Sequence, residues 1–396
     1  MRIPATGVSD LFRGLHTTLT TPTSICFIAH PAWGEMAGGT KGDVGGIQRQ
    51  LSMMARWFAA RGHTVSMLTW DEGQPDEVMV DGVRVIKMCR RTDGVRGVRF
   101  FHPRWTSLVA AMRKADARVY YQNTAEYVTG QAAYWCRQNR RGFVFSVAND
   151  WDCESRAIAK LRTHERIFYL YGLRHATAVV AQTRKQQRIL LEEHDVQSVV
   201  IPMPSPPTGD GTLSPPPDPA APRVVWVARI AAAKRLELLL DIAEMAPEIT
   251  FEVAGLPDPR SAYTDALAAR ATRIANVRML GRVERPNVPA LYRGAICLCC
   301  TSSHEGFPNT FLEAWSQGVP VVSTFDPDGL FRTKGLGGVG DDAATIVGHI
   351  RRLAASREEW QLAGQRGRDY YVENHLPANV VPRFEEVFLA TDRKLA

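Results

Sequence analysis

Two glutamates lie eight residues apart in the segment HEGFPNTFLEAWSQGVPVVST, residues 304–324. Glu305 follows the apolar run AICLCC, which is typical of a buried parallel strand. A helix is predicted to begin near Pro308 or Asn309, because proline suits the first helical position and asparagine can cap it. The start of such a helix offers free amides to a phosphate. Ionised carboxylates only accept hydrogen bonds, so Glu305 suits sugar hydroxyls and Glu313 suits a ribose diol.

Two cations and a pair of glycines could complete a phosphate site. Arg229 ends a predicted strand and Lys234 opens the next helix in VARIAAAKRLELLL, residues 227–240. Both could neutralise a diphosphate, and arginine can bind it through two parallel hydrogen bonds. Glycines at Gly45 and Gly46 would let the backbone approach a phosphate closely. The chain contains neither G-x-G-x-x-G nor G-x-x-x-x-G-K-[ST], which argues against NAD-dependent and P-loop functions.

The same alternation of strands and helices appears in both halves of the chain. Strands are predicted in the first half at residues 24–30, 64–70, 83–88, 117–122, 143–148 and 177–182, and in the second at 223–229, 249–255, 276–280, 295–300 and 320–324. Amphipathic helical patterns separate these apolar runs. This alternation predicts an α/β protein with two Rossmann-like domains that face each other across a cleft.

Proline and glycine mark the domain boundaries. The segment IPMPSPPTGDGTLSPPPDPAAP, residues 201–222, reads as a semi-extended linker, because its prolines cannot sustain a helix or a central strand. The predicted organisation is therefore a tail over 1–23, a first domain over 24–200, the linker, a second domain over 223–375 and a C-terminal helix over 376–396.

Composition indicates an intracellular protein, and the uneven distribution of charge makes an anionic partner one of two alternatives. No run approaches the roughly 18 apolar residues of a membrane span, and the N-terminal tail has no apolar core typical of a signal peptide. Residues 22–200 carry 25 Lys and Arg against 17 Asp and Glu, whereas residues 201–396 carry 21 against 23. The first half either has a solvated basic face or meets a phospholipid surface or a diphosphate-linked acceptor. The seven cysteines match no zinc or disulfide spacing, so we interpret them as structural thiols.

These elements together resemble the family 4 glycosyltransferases, a retaining group with the GT-B fold, and in particular bacterial enzymes of cell-surface polysaccharide assembly. The motif Glu305-x7-Glu313 is the family's E-x7-E signature, and the resemblance covers most of the chain. It implies that Glu305, Arg229 and Lys234 carry catalysis and that the C-terminal helices pack back toward the first domain. The donor residues that it implies are Gly46, Arg229, Lys234, Gly281, Arg282, Val283, Glu305, Gly306, Phe307, Asn309, Thr310 and Glu313.

The chain departs from the family pattern at several positions. The usual Gly-Arg and Lys-Gly pairs are Ala228-Arg229 and Lys234-Arg235, which keep both cations. Where many relatives have His-Asp, this chain has Asn149-Asp150, and we assign this pair to the acceptor side. The segment Asp150-Trp151-Asp152 also has the D-x-D form of metal-dependent glycosyltransferases. It lies in the half predicted to bind the acceptor and lacks the sequence surroundings typical of that fold, so no metal ligand is predicted.

The resemblance implies a cytoplasmic enzyme that moves a hexose from a nucleoside-diphosphate sugar to an acceptor hydroxyl, with retention, without a metal and without a cofactor. Lipid-linked or polysaccharide acceptors, contact with the inner face of an anionic membrane and a role in polysaccharide or glycolipid assembly are expected, and nucleic acid is not an expected partner. Two alternatives stay open: a sugar-nucleotide-binding protein without turnover, and a sugar-nucleotide epimerase of the same architecture. The sequence leaves UDP, GDP and ADP equally open as the donor's nucleotide.

Overall fold

The protein is described by a computed structural model over residues 22–38, 45–257, 262–303 and 305–395. The described residues form two compact units. The first contains the chain up to Met203 together with the segment from Val380 onward, and the second runs from Pro204 to Asn379. Most of the predicted N-terminal tail lies outside the described residues.

The first unit is built on an eight-stranded sheet with the strand order β3-β4-β2-β1-β5-β6-β7-β8. Neighbouring strands are parallel except for the antiparallel pair β3 and β4. Its elements, in chain order, are β1 (Ser24–Ile28), α1 (Trp33–Met36), α2 (Gly46–Ala60), β2 (Thr64–Thr69), β3 (Glu77–Val80), β4 (Val83–Lys87), α3 (Thr106–Ala115), β5 (Val119–Asn123), α4 (Tyr127–Gln138), β6 (Gly142–Ser146), α5 (Ser155–Ile158), α6 (Thr163–His175), β7 (Ala178–Ala181), α7 (Arg184–His194) and β8 (Val199–Val200).

Helices cover both faces of this sheet, which is why its central strands are buried along their whole length. Every residue of β5 and β6 is buried, as in parallel strands that are packed on both sides. Tyr120 and Phe145 pack into the hydrophobic core on one face, and Phe27 and Tyr121 pack into the core on the other. The sheet is a rigid support for the loops that follow its strands.

The second unit has a six-stranded parallel sheet with the order β11-β10-β9-β12-β13-β14. Its central strands β9 and β12 are buried, whereas the edge strand β11 is largely exposed. Its elements are β9 (Arg223–Val227), α8 (Leu236–Met245), β10 (Thr250–Ala254), α9 (Ala262–Ala271), β11 (Val277–Gly281), α10 (Val288–Tyr292), β12 (Cys297–Cys300), α11 (Asn309–Ser316), β13 (Val321–Ser323), α12 (Leu330–Lys334), β14 (Gly337–Val339), α13 (Ala343–Ala355) and α14 (Arg357–Asn374). The prediction of two α/β domains with parallel sheets is confirmed.

The last helix, α15 (Pro377–Arg393), belongs almost entirely to the first unit. Phe384 and Phe388 are fully buried in the core that also contains Phe27. Glu385 accepts a hydrogen bond from the ring of His63 at 2.8 Å, with both side chains buried. Hydrophobic burial and this polar contact therefore fix the C-terminal segment on the sheet of the first unit.

Most of the proline-rich segment belongs to the second unit and is hydrogen-bonded to it. The Thr208 amide donates to the Ser316 hydroxyl at 3.0 Å, and the Ser214 amide donates to the Gln317 carbonyl at 2.8 Å. Prolines lack an amide, so the few remaining donors carry these contacts. The structure thus places the change of unit at Met203 and Pro204, near the start of the segment predicted as a linker.

A membrane-spanning helix is not found among the described parts of the chain, where every helix is too short or too polar to cross a bilayer.

Candidate functional site

The principal site lies at the carboxyl edge of the second sheet. Strands β9 and β12 are parallel neighbours, with Val224 opposite Cys297 and Val225 opposite Leu298. The loops that leave these two strands therefore emerge side by side, which is where open α/β sheets bind ligands. They enclose a cavity of about 230 Å³. Its lining includes Ala228, Arg229, Lys234, Cys300, Ser302, Glu305, Pro308, Asn309 and Thr310.

Backbone hydrogen bonds fix the loop that carries Lys234. A 3₁₀ turn covers Ala232–Lys234. The amide and the hydroxyl of Ser303 both donate to the Ala233 carbonyl, at 2.9 and 3.2 Å. The Thr301 hydroxyl donates to the Lys234 carbonyl at 2.7 Å and accepts from the buried indole of Trp226 at 2.9 Å. These contacts join the loop after β9 to the loop after β12, so the lysine is held beside the segment that contains Glu305.

Lys234 and Glu305 form an ion pair in the cavity. Their side chains are 27% and 19% exposed, so solvent and ligand can reach the pair. An ammonium held this way is available to a second anion, because it has three donors and the carboxylate uses only part of them. The structure therefore brings together two of the three residues predicted to carry catalysis.

Arg229, the third residue predicted to carry catalysis, also lines the cavity. It follows the end of β9, its side chain is exposed, and it makes no ion pair with any described residue. A guanidinium without a carboxylate partner leaves positive charge at the mouth of the cavity. That charge favours a diphosphate, which arginine can bind with two parallel hydrogen bonds.

Helix α11 points its first turn at the same cavity. Pro308 stands at the N-cap position, and Asn309 and Thr310 begin the helix and line the cavity. Proline has no amide, so the phosphate-binding capacity of this end rests on the amides that follow. Together with Arg229 and Lys234, the helix N-terminus makes this edge of the sheet suited to an anion.

Several residues predicted for the same site lie beside this cavity without lining it. The half-buried carboxylate of Glu313 accepts a hydrogen bond from the Tyr292 hydroxyl at 2.8 Å. Phe307 is buried in an aromatic cluster, with its ring centroid 4.6 Å from that of His375 and 6.2 Å from that of Trp315. Gly306, between Glu305 and Phe307, is half-buried. Phe307 therefore contributes its side chain to packing, which holds the start of α11 in place.

The remaining predicted donor residues are not among those that line this cavity. Gly281 ends β11, two strands from β9 in the sheet, and the space around its α-carbon is open. Arg282 is exposed and pairs with Glu284 at 3.1 Å, and Val283 is half-buried. Gly46 belongs to the first unit, where it begins helix α2.

A glycine that the sequence patterns did not single out holds the Arg229 loop. The Gly255 amide donates to the Gly281 carbonyl at 2.8 Å, and the Ala228 amide donates to the Ala254 carbonyl at 3.1 Å. A β-carbon on Gly255 would lie 1.8 Å from the Ala228 carbonyl oxygen. The closeness of these backbones therefore requires glycine.

We expect Gly255→Ala to destabilise the protein by about 1–3 kcal/mol, because the added methyl group must push the Ala228 carbonyl away. It should also weaken binding of nucleoside diphosphates, since Arg229 follows Ala228. Urea unfolding and titration calorimetry measure the two effects. Gly348→Ala is the matched control: Gly348 is exposed in helix α13 with open space around it, so alanine should stabilise by up to about 1 kcal/mol. Equal behaviour of the two variants would contradict the role given to Gly255.

The cysteines near the cavity are structural. All seven cysteines lie within the described residues and are free thiols. Burial raises the pKa of Cys299 and of Cys300. A thiol with a raised pKa is a poor nucleophile at neutral pH, because the thiolate is the reactive form.

A second polar cavity, of about 130 Å³, lies at the carboxyl edge of the first sheet, between β1, α2 and the loop after β5. Buried polar atoms without a partner among the described residues face this region: the Nε2 atom of His30, both amide atoms of Asn123 and the hydroxyl of Thr124. Burial, reinforced by the charge of Arg104, lowers the pKa of His30 to about 4, so its ring is neutral at pH 7. Unpaired buried polar groups are costly, and a ligand with hydroxyl groups would satisfy these.

The loop that forms this cavity is strained. Thr124 has a φ of +85°, which is rare for a β-branched residue. The Gln122 amide holds the loop by donating to the Asn123 and Thr124 carbonyls at 3.1 and 2.6 Å. Such strain concentrates at functional sites. The sequence contained a signal for this cavity, since the polar residues Gln122 and Asn123 end a buried parallel strand and Thr124 directly follows it.

The residues predicted for the acceptor side have other partners. Asn149 caps a short turn, and its side-chain oxygen accepts from the Asp152 amide at 3.2 Å. Asp150 is buried, and its two carboxylate oxygens contact Lys185 at 2.6 Å and Gln186 at 3.1 Å. These contacts give both residues a role in local structure. The polar cavity of the first unit is lined by other residues, among them His30 and Asn123.

Comparisons with known proteins agree with this arrangement. The family model described as Glycosyl transferase 4-like domain matches residues 45–206, and the model described as Glycosyl transferases group 1 matches residues 215–332. Mannosylfructose-phosphate synthase of Agrobacterium fabrum is 24% identical over 78% of this chain and 76% of that protein.

Among solved structures, sucrose-phosphate synthase from Thermosynechococcus elongatus superposes with a TM-score of 0.74 at 18% identity, covering 94% of this chain and all of that one. HepE of Anabaena, crystallised with UDP and glucose, superposes with a TM-score of 0.71 at 16% identity, covering 93% of this chain and all of that one. The fold is therefore GT-B. The chain belongs to the family 4 glycosyltransferases, and it is a glycosyltransferase.

Proposed function

We propose that this glycosyltransferase moves a hexose from a nucleoside-diphosphate sugar to an acceptor hydroxyl, with retention at the anomeric carbon. The observation that carries the proposal is the cavity of the second unit, where Arg229, Lys234 and the first turn of α11 surround space next to Glu305. Cations and helix amides suit the diphosphate, and the carboxylate suits the sugar hydroxyls. HepE, which shares the fold, was solved with UDP and glucose.

In the proposed reaction, the bond between the anomeric carbon and the diphosphate oxygen breaks while the acceptor oxygen bonds to the same face of that carbon. The acceptor proton passes to an oxygen of the leaving diphosphate. Negative charge grows on this group, and Arg229, Lys234 and the α11 amides stabilise it. Neither a cofactor nor a metal ion has a role in the proposed steps.

For the acceptor we propose the polar cavity of the first unit. Neutral His30 and the Asn123 amide can each donate to and accept from sugar hydroxyls. We infer a lipid-linked or polysaccharide acceptor, a cytoplasmic location at an anionic membrane and a role in polysaccharide or glycolipid assembly. The excess of positive charge in residues 22–200 supports an anionic partner of this kind; nucleic acid has no part in the proposal.

The proposal is tested with UDP, GDP and ADP forms of glucose and mannose, each offered with and without an acceptor mixture of glycolipids and oligosaccharides. One donor should yield both free nucleoside diphosphate and a glycosylated product, and Arg229→Ala should reduce its turnover. Thermal shift with the three nucleoside diphosphates identifies the base, since binding to the native state raises apparent stability.

Two outcomes would contradict transfer. Interconversion of the sugar, with release of nucleoside diphosphate but no acceptor-linked product, would identify an epimerase. Binding of a sugar nucleotide with no turnover across the acceptor panel would identify a non-catalytic binding protein. Full turnover in Arg229→Ala would show that the donor diphosphate lies elsewhere.

Asn123→Ala tests the acceptor cavity. We expect the KM for the acceptor to rise about tenfold, which corresponds to the loss of one or two hydrogen bonds at about 0.5–1.5 kcal/mol each. Stability should not fall, because the Asn123 amide has no hydrogen-bond partner among the described residues. Steady-state kinetics and urea unfolding measure these effects.

Asn276→Ala is the contrasting control. Its amide donates to three carbonyls, those of Ala243, Ala246 and Ile249, at 2.9–3.0 Å. Its loss should lower stability without changing the acceptor KM. If Asn123→Ala behaves like Asn276→Ala, Asn123 is structural and the acceptor binds elsewhere.

A further inference from the structure

An exposed apolar and basic segment stands out on the first unit, between β4 and α3. Residues 95–105 read VRGVRFFHPRW. Val95, Val98 and Phe101 are spaced three residues apart and are 74%, 57% and 57% exposed. Arg96 and Arg99 lie between them. Three large apolar side chains exposed at a regular spacing are unusual for a solvated loop and indicate a contact surface.

Aromatic packing fixes this segment on the body of the unit. Phe100 contacts Phe168 of α6, with ring centroids 5.2 Å apart, and Trp105 contacts the same ring at 5.2 Å. Phe101 and Trp105 stack at 6.1 Å. The exposed side chains are therefore presented on a built support. A cavity of about 510 Å³, lined by Phe101, Trp105, Tyr134 and Arg113 among others, opens beside it.

The surface continues over helix α4, which packs against α6. These helices pack closely because Gly130 and Gly172 have no side chains: a β-carbon on either would lie within 2.6 Å of the other helix's backbone. Tyr134 of α4 is 45% exposed, and it lines the same cavity as Phe101 and Trp105. Four of the large exposed apolar side chains of the described chain thus belong to one surface, made of Val95, Val98, Phe101 and Tyr134, which we term the aromatic-basic surface.

Positive charge surrounds this surface. Residues 90–113 contain six arginines and one acid, Asp93. The Asp93 carboxylate accepts from the Arg90 amide at 2.9 Å, which ties it to its own turn. Arg96, Arg99 and Arg113 form no ion pair with any described residue. Unpaired guanidinium groups next to exposed apolar side chains are complementary to an anionic, partly apolar partner.

We propose that the aromatic-basic surface docks the protein on an anionic phospholipid membrane, with Val95, Val98 and Phe101 entering the headgroup region and the arginines binding lipid phosphates. Valine side chains cannot hydrogen-bond a polysaccharide, and two copies of one basic face repel each other. Tryptophan and tyrosine favour the membrane interface. This inference extends the membrane contact named in the proposed function and identifies the residues that make it.

Co-sedimentation of the full chain with vesicles tests the docking surface. Vesicles of phosphatidylcholine with added phosphatidylglycerol should bind the protein about tenfold more tightly than phosphatidylcholine alone, with weaker binding as salt increases. Arg99→Glu and Phe101→Ser should each weaken binding about tenfold or more. Arg357→Glu and Leu362→Ser, on exposed positions of helix α14 in the second unit, are the matched controls and should bind as the wild type does.

Hydrogen exchange on the unmodified protein gives a second measurement that does not depend on the folding of a variant. Amides in residues 95–105 should exchange more slowly when anionic vesicles are added. The inference is overturned if the wild type does not bind these vesicles, binds neutral vesicles equally, or shows protection elsewhere. It is also overturned if the variants bind normally, or if Phe101→Ser removes self-association instead. The vesicle experiments contain no sugar nucleotide. Absence of vesicle binding would therefore not contradict the transfer reaction, and absence of transfer would not change the result of the vesicle experiments.

Discussion

Glu305→Gln should lower kcat/KM for the sugar-nucleotide donor by about 100- to 1,000-fold. The carboxylate pairs with Lys234 in the cavity, and the proposal has it accept hydrogen bonds from the donor sugar. The neutral amide loses the charge that orients the lysine and one of the two acceptor atoms. Loss of a preorganised polar contact at a reacting centre costs about 3–4 kcal/mol of transition-state stabilisation. Initial rates with the donor found in the panel measure the effect.

Lys234→Met and the double variant sharpen this test. If the two side chains act as a unit on the donor, the double variant should be scarcely worse than the more damaging single one. Glu248→Gln is the matched control, because Glu248 pairs with Arg351 at 2.8 Å on the exposed surface of the same unit. The role of Glu305 would be refuted if Glu305→Gln kept wild-type kinetics while its melting temperature matched that of the control.

The fold could be predicted from the sequence because parallel strands that are covered on both faces must be apolar along their length. Runs such as AICLCC and FVFSVA gave strands β12 and β6. Strand β14 (Gly337–Val339) was missed, since two of its three residues are glycine, which is depleted in strands. Strand β3 was missed although Asp81 and Gly82 follow it with φ values of +48° and +79°, and Asp-Gly is the usual signal of a hairpin turn.

The site could be predicted only where the chain itself carries the chemistry. Arg229, Lys234 and Glu305 are charged residues in segments that follow apolar runs, and the structure brings them to one cavity. The sequence could not show that β9 and β12 are neighbours, since two strands lie between them in the chain. For the same reason Gly255 was missed, because its role depends on the carbonyl of Ala228, which directly follows an adjacent strand.

The Asp150-Trp151-Asp152 motif shows the limit of reading chemistry from spacing. The Asp152 carboxylate accepts from the Ala148 and Asn149 amides at 2.8 and 3.3 Å and is almost completely buried. From the sequence alone, an acid that stabilises a turn in this way cannot be distinguished from one that binds a metal ion. Its titration tells the two apart.

We expect the contribution of Asp152 to stability to fall as the pH rises from about 4 to about 6. Burial raises the pKa of this carboxyl from 3.8 to about 6, and the amides of Ala148 and Asn149 only partly oppose that shift. Below about pH 4 the group is protonated in both states. Between the two pKa values the unfolded chain releases its proton and the folded protein keeps it, so unfolding becomes easier. Above about pH 6 both are ionised, and the loss levels off at about 3 kcal/mol, since one pKa unit corresponds to about 1.4 kcal/mol.

The measurement is the difference in unfolding free energy between the wild type and Asp152→Asn, taken at several pH values by urea denaturation. Asparagine does not titrate, so the pH dependence of this difference belongs to Asp152 even if the variant is shifted by a constant amount. Relative to that of Asp152→Asn, the unfolding free energy of the wild type should fall between about pH 4 and pH 6 and stay constant above about pH 6.

Glu77→Gln is the control of opposite sign. Hydrogen bonds from Arg84 and Lys114 lower the pKa of the Glu77 carboxyl to about 2. The stability that Glu77 contributes is present above its unfolded pKa and is lost as the pH falls toward about 2. The unfolding free energy of the wild type should therefore rise relative to that of Glu77→Gln from acid to neutral pH. A flat difference for Asp152, or one with the sign of Glu77, would mean that Asp152 is ionised and accessible, and the D-x-D motif would again be a candidate for binding a divalent cation.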